Sequence, residues 1–181
     1  MNMNHFESNL RNLVLAPYIS KATALIGIRR KIGGNAFRHQ MATLSILLDY
    51  KYDDSILLKA SVIHDLLEDI PSTNVPELRS IDPESNMVID LVLEVTRKSG
   101  EFKTDYLKRI VKRGSWRAKV LKVADRIGNV IDLTSDVYST EKMKAYLKQT
   151  STFILPIAQE VNQNMFIELK DLIERKHALH A

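Results

Sequence analysis

Cysteine is absent from the 181 residues of this chain. Disulfide bonds and thiolate metal sites are therefore excluded, and any transition-metal site must use imidazole and carboxylate ligands. Glycine and proline are also scarce, at 6 and 5 residues, which leaves few turn residues for an all-β fold. The N-terminus lacks a cationic start before an apolar core, and no apolar run approaches the roughly 18 residues of a membrane span. These absences predict a cytoplasmic protein without a signal peptide or a membrane-spanning segment.

The residues that are present have the balance of a soluble globular protein, with 45% apolar and 27% charged. The length suits one domain with a sizeable core, and the sequence has no repeat and no linker, so we predict a single domain over 1–181. The net charge of +4 favours anionic partners. A mildly basic surface without a specific ligand explains that charge equally well.

Apolar residues recur at helical spacing nearly throughout, which predicts an all-α bundle with no strand. Asp53 or Asp54 is expected to cap the third helix, Pro71 to stop it, and Gly114 to end the helix in "EFKTDYLKRIVKRG". Gly33, Gly34 and Asn35 are expected to stop the first helix, and Pro156 to kink or split the last stretch. The predicted helical segments are about 18–30, 38–50, 54–70, 74–80, 83–96, 101–113, 115–135 and 140–176.

The segment "LLKASVIHDLLEDIP" carries one imidazole and three carboxylates among apolar residues. Its apolar side chains project all round a helix, as in a helix that is packed on most sides. Buried charges without partners cost several kcal/mol or more, so a compensating group is needed. A divalent cation held by His64 and Asp65, with Glu68 and Asp69 near its water, would provide one. The alternative is a helix end with an exposed acidic last turn and a hydrogen-bonded histidine.

A second candidate site lies in "KVLKVADRIGNVIDL", where polar residues border the apolar face at helical spacing. Asp125 is placed where it could point into the bundle. Alternatively, it is an edge residue held by Arg126 or Lys122. A third candidate is His39, at the start of the helix that follows "GGNAF".

The order His39, His64–Asp65, Asp125 is similar to the H…HD…D pattern of the HD phosphohydrolase superfamily. The resemblance implies an all-helical bundle whose metal is held by those four side chains. Two imidazoles and two carboxylates suit Mn²⁺, Fe²⁺ or Zn²⁺ better than Mg²⁺.

Four short motifs narrow the resemblance to the RelA/SpoT-type alarmone hydrolases. "HDLLEDIP" resembles their HDxxED motif, and "KVADRIGN" resembles their K-L-A-D-R-x-x-N segment. "RRKIGG" before "FRH" and the later "VLEVTR" resemble two further family segments in the same order. The resemblance covers the core at about 20–135, and the stretch at about 140–176 is similar to the closing helices of the small stand-alone alarmone hydrolases.

The resemblance also implies roles for individual residues. The ligands of a Mn²⁺ ion are expected at His39, His64, Asp65 and Asp125. The catalytic pair that positions and deprotonates the attacking water is expected at Glu68 and Asp69. Base stacking and nucleotide contacts are expected at Arg30 and Lys31, a nucleoside contact at Asn129, and further nucleotide contacts at Lys142 and Tyr146.

Three positions depart from the family pattern. Ile32 stands where long members often have Ser, and Asp132 where they often have Thr, although stand-alone members tolerate Asp. Lys142 replaces an Arg, which keeps the charge but loses the bidentate fork. These changes bear on base recognition and substrate preference, and they leave the metal ligands untouched.

The stretch 97–126 holds eleven Lys or Arg residues against three acids. Most of them suit a solvated basic face, while a few are candidates for phosphate contacts, namely Lys98, Lys103 and Lys112.

The expected activity is removal of the 3′-pyrophosphate of ppGpp or pppGpp, giving GDP or GTP and pyrophosphate. The chain ends without room for a synthetase domain, so no synthesis is expected. One alternative is another HD phosphohydrolase that acts on NADPH or a nucleoside monophosphate. The other is a metal-stabilised module that binds nucleotide or RNA through the basic face. Glu68 and Asp69 argue against this module, because a structural metal site has no use for two extra carboxylates, so we expect a nucleotide substrate and no nucleic acid.

Overall fold

Twelve α-helices account for most of residues 5–178, which are the residues described in a computed structural model of the chain. Within this range no strand forms, and the only extended pairing is an isolated antiparallel bridge between Arg29 and Asn35. The predicted all-α fold class is confirmed. None of the helices in residues 5–178 has the length and apolar character needed to cross a membrane.

The described chain divides into two compact units. The first unit comprises 5–29 and Gly34–Arg97, and the second comprises Arg30–Gly33 and 98–178. The single domain expected over 1–181 stays a prediction. The helices of the first unit are α1 His5–Asn12, α2 Ala16–Ala22, α3 Ala36–Asp49, α4 Ser55–Ile63, α5 Leu66–Asp69, α6 Val75–Leu78 and α7 Ser85–Val95. Those of the second unit are α8 Lys103–Arg113, α9 Trp116–Ile131, α10 Thr140–Gln149, α11 Leu155–Val161 and α12 Gln163–Ala178.

Helix α4 is the buried centre of the first unit. The Asp54 side chain caps it by accepting the Leu57 N–H at 2.9 Å. All of its residues from Ile56 to Ile63 are buried, and α2, α3 and α7 pack against it. The all-round apolar pattern therefore predicted its packing correctly, since a helix with no polar face needs neighbours on several sides.

The first predicted helix, at 18–30, was wrong at its end. Helix α2 stops at Ala22, a 3₁₀ turn covers Thr23–Gly27, and Ile28 is extended. Asn35 does not end that helix but begins α3, because its side chain accepts the Arg38 N–H at 3.0 Å. Asparagine is favoured both after the end of a helix and as an N-cap, and the prediction assigned Asn35 to the first of these positions. Helix α1 was not predicted and buries none of its residues.

The helix expected through "DDSILLKASVIHDLLED" is interrupted at His64 and Asp65. A second short helix, α5, begins at Leu66. The backbone N–H of Asp65 turns to the Gln40 side-chain oxygen, 3.3 Å away. A contact with another helix thus replaces a local hydrogen bond at Asp65. The periodicity of apolar residues does not predict such a contact.

In the second unit, Ser115 caps the start of α9, because its hydroxyl oxygen accepts the Ala118 N–H at 3.2 Å. The stretch predicted at 140–176 is split, as Pro156 suggested. A π-helical turn at Thr150–Ile154 follows α10, and Pro156 lies in the first turn of α11. Proline is tolerated at that position because its missing N–H would have no helical partner there.

Candidate functional site

Two imidazoles and one carboxylate converge in the first unit. His39 lies one turn into α3 and His64 directly follows α4, and both are buried with 4% of their surface exposed. Their rings meet edge to face, with centroids 5.4 Å apart. The Nε2 atoms of His39 and His64 lie 3.7 and 3.3 Å from the same Asp65 oxygen, Oδ2.

The hydrogen bonding of His64 suits a metal ligand. Its Nδ1 lies 2.8 Å from the Ser61 carbonyl oxygen, and because a carbonyl only accepts, Nδ1 carries the proton. In the neutral ring, Nε2 then presents a lone pair toward Asp65, so two acceptors face each other. Metal-bound histidines commonly donate their other ring N–H to a backbone carbonyl, which fixes the orientation of the ring. These residues therefore fit a divalent cation.

Glu68 and Asp69 follow in the single turn of α5, beside the converging group. Glu68 is held by Arg97, whose guanidinium lies 3.6 Å from one carboxylate oxygen and whose backbone N–H lies 3.4 Å from the other. Asp69 is an exposed residue, but partial burial of its carboxyl group raises the pKa. The negative charges of Asp65 and Glu68 raise that pKa further, against the opposing effect of the histidines. Asp69 is consequently a stronger base than an ordinary aspartate.

Asp125 lies on α9 in the second unit and is 4% exposed. Both of its carboxylate oxygens accept hydrogen bonds from the same helix. Lys122 Nζ donates to Oδ2 at 2.7 Å, and Asn129 Nδ2 donates to Oδ1. The alternative in which Lys122 holds Asp125 is therefore observed, and it is compatible with a ligand role because each carboxylate oxygen has a second lone pair.

All five predicted nucleotide-binding residues line one open pocket of the second unit, with a volume of about 270 Å³. Four cations surround it and Asp132 is its only acid, so the pocket suits a polyanion. The lining residues are Arg30, Lys31, Ile32, Lys103, Asn129, Asp132, Leu133, Tyr138, Lys142 and Tyr146. Of the three lysines considered for phosphate contacts, Lys103 is in this set. The binding roles of these residues stay predictions.

The guanidinium of Arg30 is fixed within this pocket by two partners from the region of α9. It donates to Asp132 Oδ2 at 2.6 Å and to Asn129 Oδ1 at 2.8 Å. Asn129 in turn donates to Asp125. A hydrogen-bonded chain thus joins the expected base-stacking residue to an expected metal ligand.

Tyr146 is one of the two tyrosines that line the pocket. The Arg126 guanidinium lies 4.4 Å and the Lys103 ammonium 5.1 Å from its ring centroid. Burial raises the pKa of its phenol, with the Arg126 charge opposing. The phenol therefore stays protonated at neutral pH and can donate a hydrogen bond to an anion.

Some residues that shape these sites were not predicted. Gln40, fully buried on α3, contacts Asp65 through both polar atoms of its side-chain amide. Tyr138 lines the pocket, and Arg97 holds Glu68. A polar residue next to His39 in an apolar helix was the only available signal for Gln40. For the other two, sequence carried none, since each acts across long stretches of chain.

Comparison with known proteins found similarity to solved structures. No protein-family model matches the chain, and no curated protein does. A solved structure described as a metazoan ortholog of SpoT that hydrolyzes ppGpp and plays a role in starvation responses superposes with a TM-score of 0.76. The match covers 97% of this chain and 98% of that one, at 19% identity. The chain therefore has the all-helical fold of this metazoan SpoT ortholog, as its resemblance to the small stand-alone alarmone hydrolases predicts.

Proposed function

We propose that this protein is a metal-dependent hydrolase that removes the 3′-pyrophosphate of ppGpp or pppGpp, giving GDP or GTP and pyrophosphate. The observation that carries the proposal is the convergence of two buried imidazoles on one carboxylate oxygen, with two further carboxylates in the next turn. The similarity in fold to a protein that hydrolyzes ppGpp supports the choice of substrate. Cytoplasmic location is part of the same proposal.

We assign the metal ligands to His39, His64, Asp65 and Asp125. In support, His39, His64 and Asp125 are all buried, and each can offer one ligand atom to a divalent cation. Mn²⁺ is the ion that the family resemblance favours. When bound, such a cation supplies Lewis-acid chemistry that lowers the pKa of a coordinated water toward about 7.

The proton of the attacking water is assigned to the α5 carboxylates. Asp69, with its raised pKa, can accept it, while Glu68 orients the water. A positioned general base contributes about 10²–10⁴-fold to the rate. The release of pyrophosphate requires little covalent chemistry from the protein, because positioning and charge stabilisation dominate phosphoryl transfer.

The pocket of the second unit is assigned to the nucleotide. Its fixed Arg30 guanidinium offers a flat cationic face for a base, since the two hydrogen bonds leave the group little freedom. Lys31, Lys103 and Lys142 supply positive charge for phosphates. The phenol of Tyr146 adds a neutral donor.

The test is incubation with ppGpp and Mn²⁺, with GDP and pyrophosphate followed by ion-exchange chromatography and EDTA as the control. We expect both products to appear only with metal. His64→Ala should abolish them, whereas His177→Ala, which removes an exposed histidine of α12, should not. Metal binding without pyrophosphate release would reject the alarmone assignment, and release of a single phosphate from NADPH or a nucleoside monophosphate would favour the other HD phosphohydrolases.

A further inference from the structure

Gln40 is a fully buried polar residue that contacts both the carboxylate and the backbone N–H of Asp65. Its Nε2 donates to Asp65 Oδ2 at 3.0 Å, and its Oε1 accepts the Asp65 backbone N–H at 3.3 Å. The amide orientation follows from these contacts, because a backbone N–H can only donate and so must face Oε1. Both ends of the amide are thus used on one residue.

Asp65 needs such a support. It lies at the interruption between α4 and α5, where its backbone N–H has left the helical pattern, and about a third of its side chain is exposed. An aspartate at a helix break can rotate toward solvent. Gln40 holds it at the backbone and at the carboxylate together, which fixes the direction of the side chain.

The oxygen that Gln40 contacts is the one that faces the imidazoles. Asp65 Oδ2 accepts the Gln40 amide and is also the atom 3.7 and 3.3 Å from the Nε2 atoms of His39 and His64. A donor on this oxygen occupies one lone pair and leaves the other directed at the histidines. Oδ2 is therefore the Asp65 oxygen that would face a cation held by the two histidines.

We propose that Gln40 is a positioning residue for the metal site, which holds Asp65 Oδ2 in the direction of His39 and His64. This inference rests on the proposed function, because it assigns Asp65 as a metal ligand. Loss of a residue that hydrogen-bonds to a metal ligand typically lowers metal affinity or activity by about 10–100-fold.

The test is a Mn²⁺ titration of the full chain, followed by electron paramagnetic resonance, without any nucleotide. Gln40→Met keeps the length and volume of the side chain but removes both amide contacts. We expect its Mn²⁺ dissociation constant to rise by about 10–100-fold, with any hydrolytic activity restored at high Mn²⁺. Thr43→Val is the matched control. It removes a buried hydrogen bond on the same helix, from the Thr43 hydroxyl to the His39 carbonyl, and leaves Asp65 untouched, so its dissociation constant should match that of the wild type.

Equal Mn²⁺ affinity in Gln40→Met and wild type overturns the proposal, as does an equal loss in Gln40→Met and Thr43→Val. If Gln40→Met does not fold, Gln40→Asn tests the same point, since its amide is one methylene too short to reach both Asp65 groups. A wild-type protein that binds Mn²⁺ but does not cleave ppGpp rejects the substrate, while the loss in Gln40→Met still supports the role of Gln40. A wild-type protein that binds no Mn²⁺ overturns both.

Discussion

Glu68 and Asp69 are adjacent in the chain but differ in their surroundings. Glu68 is an exposed partner of Arg97, whereas the Asp69 carboxyl group is partly desolvated and lies in the field of two other acids. Two carboxylates with different environments are the usual way in which a site divides the tasks of orienting a water and accepting its proton. The two residues should therefore respond differently to substitution.

Glu68→Ala should leave Mn²⁺ binding intact and lower kcat by about 10²–10⁴-fold, because Glu68 is proposed to orient the attacking water and is not one of the four proposed metal ligands. The measurements are Mn²⁺ stoichiometry and steady-state ppGpp hydrolysis. Glu77→Ala is the control, since it also removes an exposed acid that pairs with a cation, namely Lys21. An unchanged kcat in Glu68→Ala would take Glu68 out of the mechanism.

Asp69→Asn should stabilise the metal-free protein at neutral pH. The folded-state pKa of Asp69 is raised above 3.8, so its ionisation costs folding free energy as the pH rises through that pKa. Below about pH 4 the Asp69 carboxyl group is as neutral as the amide that replaces it, so the variant and the wild type should have the same Tm. At pH 7 in EDTA the variant should have the higher Tm. Thermal unfolding at both pH values checks this. Asp90→Asn, at an exposed acid paired with Arg79, should show no such gain, and an equal Tm at pH 7 for Asp69→Asn and wild type would contradict the assigned surroundings of Asp69.

At the scale of elements, contacts between residues close in the chain determine where several helices begin and end. Side-chain caps at Asn35, Asp54, Ser115 and Ser139 start four of the helices. Gly114 marks the end of α8 for a different reason. A Cβ atom there would collide with the carbonyl oxygen of Ile110, which accepts the Gly114 N–H at 2.9 Å.

Gly114→Ala should therefore destabilise the protein by about 1–3 kcal/mol, because backbone must shift to make room for the methyl group. Gly27→Ala is a matched control, since a Cβ at Gly27 meets nothing within 4 Å, and its effect should be neutral or slightly stabilising. Urea denaturation of the three proteins gives the comparison. Equal stability of Gly114→Ala and wild type would show that the end of α8 can adjust.

At the scale of the whole molecule, the proposed metal should contribute to stability, because a ligand that binds the folded chain and not the unfolded chain shifts the folding equilibrium. Mn²⁺ at about 100 times its dissociation constant should raise the Tm by roughly 5–10 °C. Asp125→Asn should lose this increase along with stoichiometric Mn²⁺ binding and activity. The amide keeps the volume of the carboxyl group but is a poorer ligand.

Asp105→Asn is the control for that comparison, because Asp105 also pairs with a lysine three residues away but is exposed. It should retain the full Mn²⁺-dependent increase in Tm, measured by differential scanning fluorimetry. An Asp125→Asn protein that binds Mn²⁺ with wild-type stoichiometry would remove Asp125 from the ligand set.

The sequence by itself determined the helical class, most helix starts and the identities of the candidate groups. The helical class and the helix starts depend on apolar spacing and on capping within four residues, so neighbours along the chain suffice to predict them. Most candidate groups were identified through the family resemblance. The end of the first helix escaped prediction because Asn35 serves equally well in either position. The order of the motifs also came from sequence, through the resemblance to the alarmone hydrolases.

Only the tertiary structure decided how those groups are held. At the break at His64–Asp65 the backbone N–H of Asp65 is hydrogen-bonded to Gln40, 25 positions away, and the Arg30 guanidinium is hydrogen-bonded to Asp132, 102 positions away. Such contacts form because buried donors and acceptors must find partners wherever packing places them. The periodicity of apolar residues shows that a polar residue lies on a buried face. Its hydrogen-bond partner is determined by how distant segments of the chain pack together.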